Sequence, residues 1–485
     1  MEMKNENSMN LSATRDTEIR YTDNVDSLLL PALTSSSTLP IPVRGYYNLV
    51  YNLSKNMVGL YSTLRKMYSI HYSTSNLNEI EASLECLAYN LIRAVKLSQS
   101  ELSFSSDRNR YNNVMLNGRK IPTGVGYSGT MKVINMLEDK GLLSCVKGYN
   151  IKSPFGDKVK SGYISLTQEL IALVESNVDL EKIKIGVRND VLFLRDKKGN
   201  DLEFLSNKYT KEIITVLNKY NKMMNKCDVR IGDVQLDTGL ARIFNTDFEH
   251  GGRLYTSGNS YQGLPAFMRN KITINGFPTA EVDIKGSHIS ILHTLCNSRL
   301  LDGYDPYEID MEGIADYDMK TMSLMLCQHD AAHNPFRNLV KVALLIMINA
   351  NNYQTAKGAL EAKINDQLSH TVAALDSMDD LQLSVLPLCG LKDVKVDLLF
   401  KKIRSKHSAI KEHFFSGAGV WLQKMEGDIF TKVIERCIEK DYPVLIIHDS
   451  CRADVRYIKE IGEFLTTAWF EVVGDVSNLK LEYEF

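Results

Sequence analysis

The sequence of 485 residues predicts an α+β protein, with a mostly helical N-terminal region followed by a core of short strands and helices. Three observations predict it. Apolar residues recur at helical spacing through Ile80, Leu84, Leu87, Ala88, Leu91, Ile92 and Val95. Between Tyr127 and Thr167 a helical pattern gives way to two short strand-like stretches around a turn. Farther along, two apolar runs each lead straight into an aspartate, Asp283 and Asp449. The length exceeds one compact domain, so the division expected is a mobile tail over 1–42, a helical region over 43–205 and a core over 206–485.

At 44% hydrophobic and 24% charged, the composition is that of an ordinary water-soluble protein, and no apolar run is long enough to span a bilayer. No membrane partner is expected. The cysteines (Cys86, Cys145, Cys227, Cys296, Cys327, Cys389, Cys437 and Cys451) form no CxxC pair, and the acidic N-terminus lacks an apolar signal core. These features predict a reducing, cytoplasmic setting without structural zinc. The net charge of −2 decides nothing about a polyanionic partner, because such binding needs only a local basic surface. Residues 101–160 carry ten Lys or Arg against five acids, and residues 392–411 seven against two. Either run fits a nucleic-acid face or a merely solvated one.

Residues 1–42 are rich in Ser, Thr and Asn and end at Pro40 and Pro42, the composition of a tail. Helical spacing then holds from about 46 to 99. From Tyr127 a Ser-Gly start precedes a helix bearing Met131, Ile134 and Leu137. Gly141-Leu142-Leu143 then leads into a wing from Cys145 to Val159 that turns at Ser153-Pro154-Phe155-Gly156 and returns through Gly162 to Leu166. The pattern is winged-helix-like. Lys152, Lys158 and Lys160 on that wing would face phosphates in a nucleic-acid-binding module, although winged helices also serve protein contacts. A further helix is expected over 209–226.

The chemistry begins after it. In Thr279-Ala280-Glu281-Val282-Asp283-Ile284-Lys285-Gly286-Ser287-His288 a short strand delivers Asp283 at its end, and an apolar helix starts at about His288. Such a carboxylate can hold a divalent cation while the Ile284 backbone carbonyl adds an oxygen; taken alone, an Asp after a strand is more often a helix cap. In Tyr442-Pro443-Val444-Leu445-Ile446-Ile447-His448-Asp449-Ser450 an apolar strand runs into His-Asp, and a charge so placed needs a cation to offset its desolvation. The two aspartates are 166 positions apart (449 minus 283) and could converge on one pair of metal ions. Between them, Pro335 suits a helix start, and Arg337, Lys341 and Leu345 then share a face. Two cations one turn apart would clamp triphosphate oxygens, with Asn349 about two turns beyond Lys341.

In this order the three segments resemble the family A DNA polymerases and the related phage-type single-subunit RNA polymerases, and are most similar to the transposon and virus polymerase branch of that superfamily. Asp283 matches the aspartate of motif A, Arg337 and Lys341 the Arg-x3-Lys of the motif B fingers helix, and His448-Asp449 motif C. Upstream, Gly252-Arg253-Leu254-Tyr255 and Gln262-Gly263-Leu264-Pro265 are similar to the family's Gly-Arg-Leu segment and its later Gln and Pro. The similarity spans about residues 250–460. It implies a polymerase palm built on an antiparallel sheet, with helical fingers, two Mg2+ ions that Mn2+ can replace, and a primer-template and nucleoside triphosphates as partners. It further implies metal binding by Asp283, the Ile284 carbonyl and Asp449, triphosphate neutralisation by Arg337 and Lys341, and a primer-template contact by Arg253. By the same resemblance Gln262 and His448 join the nucleic-acid contacts, and Gln423 with Glu426 could track the minor groove or lie on a helix surface.

Two departures bear on sugar choice: Asn349 stands in place of the motif B tyrosine, and Ser450 follows motif C as in phage-type RNA polymerases. His288, five residues after the motif A aspartate, is bulky and favours deoxynucleotides, although a histidine could also hydrogen-bond a 2′-hydroxyl. The expected activity is therefore DNA polymerisation by two-metal phosphoryl transfer, without a proofreading exonuclease. Two alternatives stand beside it. One is a single-subunit RNA polymerase or primer-independent nucleotidyltransferase of the same fold, serving a mobile element or host defence. The other is a DNA-binding regulator whose palm is catalytically inactive. His329 and His333 lie four apart without a suitably spaced third ligand, which fits a loop contact better than zinc. Asp305-Pro306-Tyr307 is expected to be a turn and helix start.

Overall fold

The computed structural model describes residues 53–71, 77–96, 99–104, 108, 111, 113–122, 125–146, 149–151, 158–160, 162–183, 190–256, 261–301, 303–317, 334–368, 388 and 391–485. The chain is a mixed α+β protein with several antiparallel sheets and many helices. The expected tail over 1–42, the wing turn at 153–156, Lys152, Cys327, Cys389, His329 and His333 lie outside the described residues.

The first unit opens with α1 (Leu53–His71) and α2 (Leu77–Lys96). The periodic residues Ile80, Leu84, Leu87, Ala88, Leu91 and Ile92 of α2 are all buried, so its apolar stripe faces inward as the spacing requires. Strand β1 (Glu101–Phe104), a hairpin of β2 (Asn113–Leu116) and β3 (Arg119–Pro122), and α3 (Tyr127–Asp139) follow. Next come β4 (Leu143–Val146), a hairpin of β5 (Tyr149–Ile151) and β6 (Lys158–Lys160), β7 (Gly162–Leu166) and α4 (Gln168–Asn177). Strands β1, β7 and β4 form an antiparallel sheet in that order. Thr167 starts α4, its Oγ1 accepting from the Leu170 N–H at 3.3 Å.

The second unit takes over earlier than residue 206. Strand β8 (Leu192–Arg195) runs parallel to β11 (Leu240–Asn245), and Val191, Leu192 and Leu194 join the second hydrophobic core, whereas the first core ends at Ile183. A strand pairing that spans so much sequence leaves no trace in local periodicity. Helix α5 (Lys208–Met224) begins at a reciprocal cap between Asn207 and Thr210 and buries Ile213, Val216, Leu217 and Tyr220. The buried ion pair of Arg93 with Asp237, at 2.6 Å, joins the two units.

The main sheet contains β9 (Val229–Ile231), β10 (Val234–Gln235), β13 (Ile272–Ile274), β14 (Phe277–Ile284), β17 (Val444–Ile447), β18 (Ser450–Asp454) and β19 (Leu481–Glu484). Its order is β10-β9-β13-β14-β18-β17, with β19 also on β14, and every pairing is antiparallel. Strand β12 (Gly251–Thr256) lies on β11 in a smaller sheet, and β15 (Asp316–Tyr317) pairs β16 (Leu391–Lys392). The remaining helices are α6 (Ala266–Arg269), α7 (Ser287–Leu295), α8 (Pro335–Asn349), α9 (Tyr353–Leu368), α10 (Val396–Lys406), α11 (Gly419–Lys440) and α12 (Ile458–Val473). The long α11 packs against α5, α12 and β12, and so ties both sheets into one core. No described helix is long and apolar enough to cross a membrane.

Candidate active site

The two aspartates meet because their strands are neighbours. Asp283 sits near the end of β14 opposite Ser450 of β18, and the Ile284 N–H donates to the Asp449 carbonyl at 3.2 Å. Ile447 pairs with Ser450, so His448-Asp449 is a two-residue hairpin loop. Only its first residue has positive φ (His448, +55°), the pattern of a type II′ turn in which glycine is usual. A histidine there is strained by about 1 kcal/mol. Its Nδ1 is buried without a hydrogen-bond partner among the described residues, and its ring meets Tyr255 edge-on with centroids 6.1 Å apart.

Both aspartates are half-buried. Burial, then Asp449 and Glu281, push the Asp283 carboxyl up to about 7, with Lys341 acting against them. Asp449 is raised as well, by burial first and then by Glu426. The Asp283 carboxylate has no hydrogen bond or ion pair from any described residue. Two crowded carboxylates short of positive charge suit a divalent cation, which adds the missing charge and takes oxygen ligands. Among the described residues no third His, Cys, Asp or Glu completes such a cluster, so further ligands would be backbone oxygen, substrate or water.

The acids around this pair are differently placed. Glu281, two residues before Asp283 on the same face of β14, is buried and receives Ser450 Oγ at 2.6 Å, Arg269 Nε at 3.1 Å and Arg452 Nη2 at 3.1 Å. Burial opposes its charge, yet Arg269, Ser450 and Arg452 hold its carboxyl below the usual range. Glu426 on α11 is 1% exposed, so its carboxylate faces neither a helix surface nor, directly, a minor groove. Its Oε2 accepts from Arg253 at 2.7 Å and lies 3.1 Å from His288 Nε2, although that nitrogen is not aligned for a hydrogen bond. Burial works against the Glu426 charge, and His288 and Arg253 outweigh it, holding the carboxyl down at about 2. Arg253 and His288 thus come together beside Asp449, both engaged by Glu426.

Helix α8 forms as expected, with the Asn334 side chain accepting from the Arg337 N–H at 3.0 Å and Pro335 in the first turn. Lys341 and Asn349 are exposed; the Asn349 amide donates to the Leu345 carbonyl at 2.7 Å. Arg337 Nε donates to Asp305 at 2.9 Å and its guanidinium covers the Tyr307 ring, 4.9 Å from the centroid, while Lys341 Nζ lies 5.8 Å from the same centroid. The Asp305 segment makes the expected turn, its Oδ1 accepting from the Tyr307 N–H at 2.8 Å. No helix follows among the described residues. Residues 303–315 instead form a loop tied to α10, where Lys406 donates to the Asp305 carbonyl at 2.6 Å.

Gln262 holds protein rather than facing outward. Its Oε1 accepts from the Thr256 N–H at 3.0 Å, and its Nε2 donates to the carbonyls of Leu254 and Ile446 at 3.0 and 2.9 Å. This ties β12 to β17. Gln423 is half-buried on α11, one turn ahead of Glu426. Lys158 and Lys160 lie on β6, far in sequence from the aspartate pair.

Sequence reasoning assigns Glu281 no role at the site, and shows Asp305 and Tyr307 only as part of a turn. The alternation Glu281-x-Asp283 put two carboxylates on one strand face and was a usable signal. Nothing in the sequence linked Asp305 to Arg337.

No protein-family model and no curated protein matches the chain. A solved structure described as the POL domain of Pol1 from M. smegmatis in complex with DNA primer-template and dNTP aligns with 89% of this chain and 67% of that one. The identity is 9% and the TM-score 0.26, a likeness too low to carry an argument.

Proposed function

We propose that the protein is a nucleic-acid polymerase that extends a primer by phosphoryl transfer, more readily with deoxynucleotides than with ribonucleotides. The observation that carries this reading is the meeting of Asp283, near the end of β14, with Asp449, in the hairpin loop of the adjoining β17–β18, both with raised carboxyl pKa and with Lys341 acting on Asp283 from α8. Asp283, Asp449 and the Ile284 carbonyl would hold Mg2+ or Mn2+. Such ions lower the pKa of the primer 3′-hydroxyl and stabilise charge on the leaving pyrophosphate.

The chain's own residues supply the rest. Lys341 and Arg337 would neutralise the triphosphate, His288 would lie against the sugar, and Arg253 would meet the primer terminus. Glu426 holds the last two, so sugar pocket and primer contact are fixed to one buried carboxylate. The first unit, with α3 followed by β4, the β5–β6 hairpin and β7, supports a winged-helix reading in which Lys158 and Lys160 meet nucleic-acid phosphates.

Incorporation of labelled dNTPs and NTPs, with and without template, tests this function against an Asp449→Ala control. Template-dependent extension that disappears in the control is expected. Equal signal in the control refutes the assignment, and DNA binding without any incorporation favours the inactive regulator.

A further inference from the structure

Arg337 does not stand free beside the aspartate pair. Its Nε donates to Asp305 Oδ2 at 2.9 Å, and its Nη2 donates to Oδ1 at 3.4 Å. The Tyr307 ring lies against the same guanidinium. A two-point carboxylate contact sets the guanidinium plane, and a ring against that plane limits its tilt. Nη1 is left without a partner among the described residues.

The loop that bears Asp305 and Tyr307 is itself fastened on two sides. From α10, Lys406 donates to the carbonyls of Asp305 and Glu308, and Lys402 donates to the Asp310 carbonyl at 3.0 Å and carboxylate at 2.6 Å. His407 Nε2 donates to the Pro306 carbonyl at 3.0 Å. From the other side, Pro306 sits on Gly286, three residues after Asp283. Gly286 has φ +60°, and a Cβ there would stand 3.1 Å from Pro306 Cγ. Asp305 is thereby held to the turn that follows Asp283, and Arg337 to Asp305.

We propose that Asp305 is a positioning residue that orients Arg337, with Tyr307 as its platform, so that Nη1 is presented to the terminal phosphates of the incoming nucleoside triphosphate. The inference rests on the polymerase reading and adds to it the element that orients the triphosphate clamp. It has a definite sign. A carboxylate that orients the arginine strengthens nucleotide binding, whereas a counter-ion that the nucleotide must displace weakens it.

Asp305→Asn is the suitable variant, because its amide oxygen can still accept from the Tyr307 N–H while the charge and the second acceptor oxygen, the one Arg337 Nε uses, are removed. With the full chain, the KM for nucleotide should rise on the order of tenfold with kcat changed less than about twofold, and Asp305→Glu should recover most of the loss. In an Arg337→Ala background the same change should have no further effect. An unchanged or lowered KM in Asp305→Asn overturns the proposal. Calorimetric binding of inorganic tripolyphosphate separates it from the polymerase reading. Binding that depends on Arg337 and weakens in Asp305→Asn sustains the positioning role even if no incorporation occurs. Tripolyphosphate binding indifferent to both residues overturns it.

Discussion

Replacing Asp283 by Asn should abolish nucleotide incorporation and at the same time make the metal-free protein more stable. A carboxyl with a folded pKa of about 7 instead of the ordinary 3.8 keeps its proton in the folded state after the unfolded chain has lost it. Stability therefore falls as pH rises from about 4 to about 7, by up to roughly 4 kcal/mol at full effect. Asp283 is only half-buried, so solvent screening reduces this to about 2 kcal/mol. Asn is neutral at every pH and avoids the loss. A divalent cation bound at the pair should repair the same defect in the wild type, and roughly 10 mM Mg2+ acting on a site of about 1 mM affinity would add about 1.4 kcal/mol. The assay is urea denaturation at about pH 5 and about pH 8, in EDTA and in Mg2+, alongside primer extension. Asp283→Asn should exceed the wild type in EDTA at the higher pH, match it more closely at the lower, and lose the Mg2+ increment. A variant less stable than wild type at the higher pH, or one that keeps the Mg2+ increment, refutes the electrostatic account of the pair.

Glu281→Ala should destabilise the protein by about 3–5 kcal/mol in denaturant titration, because it strands the buried Arg452 and the largely buried Arg269 without their shared carboxylate. A loss below about 1 kcal/mol would show that those guanidinium groups find other partners. His407 is fully buried, and burial holds its pKa down at about 4. It stays neutral when folded while the unfolded residue protonates near 6.5, so stability should fall by about 3 kcal/mol as pH drops from about 6.5 to about 4. His407→Gln should flatten that acid limb, and an unchanged slope would assign it to other groups.

The strands that lead into the two aspartates, the helix that starts at Pro335 and the helix over Tyr127–Asp139 were legible because each is local: an apolar strand ending in a charge, a proline at a helix start, apolar residues at helical spacing. The unit change between Ile183 and Val191 was not, since β8 joins the second core only through its parallel partner β11. Gln262 shows the same limit. Its amide is taken up by carbonyls of two strands, one of them 184 positions away, and residue type alone does not distinguish such a clip from a base contact. Asp305 reads as a turn former, which it is; its second oxygen reaches Arg337 across a part of the fold that no sequence spacing encodes.

The sheet itself separates two kinds of acid, those compensated by neighbouring side chains and those that are not. Glu281 and Glu426 are each more deeply buried than the aspartates; Glu281 is engaged by Arg269 and Arg452, and Glu426 by Arg253 with His288 beside it, so their carboxyls lie below the ordinary range. Asp283 and Asp449 lie within the same few residues of strand and hairpin, with no comparable pair of cations, and both are displaced upward. Folding gains nothing from leaving two carboxylates in this condition, because exchanging either for a neutral residue of the same shape removes repulsion without creating a cavity. The same backbone could also have supplied compensation, as it does two residues away at Glu281. The deficit of positive charge is therefore local to one point of the sheet, and under the proposed function the cationic face of α8, with Lys341 exposed and Arg337 held by Asp305, would act there on a ligand that brings both phosphate and cation.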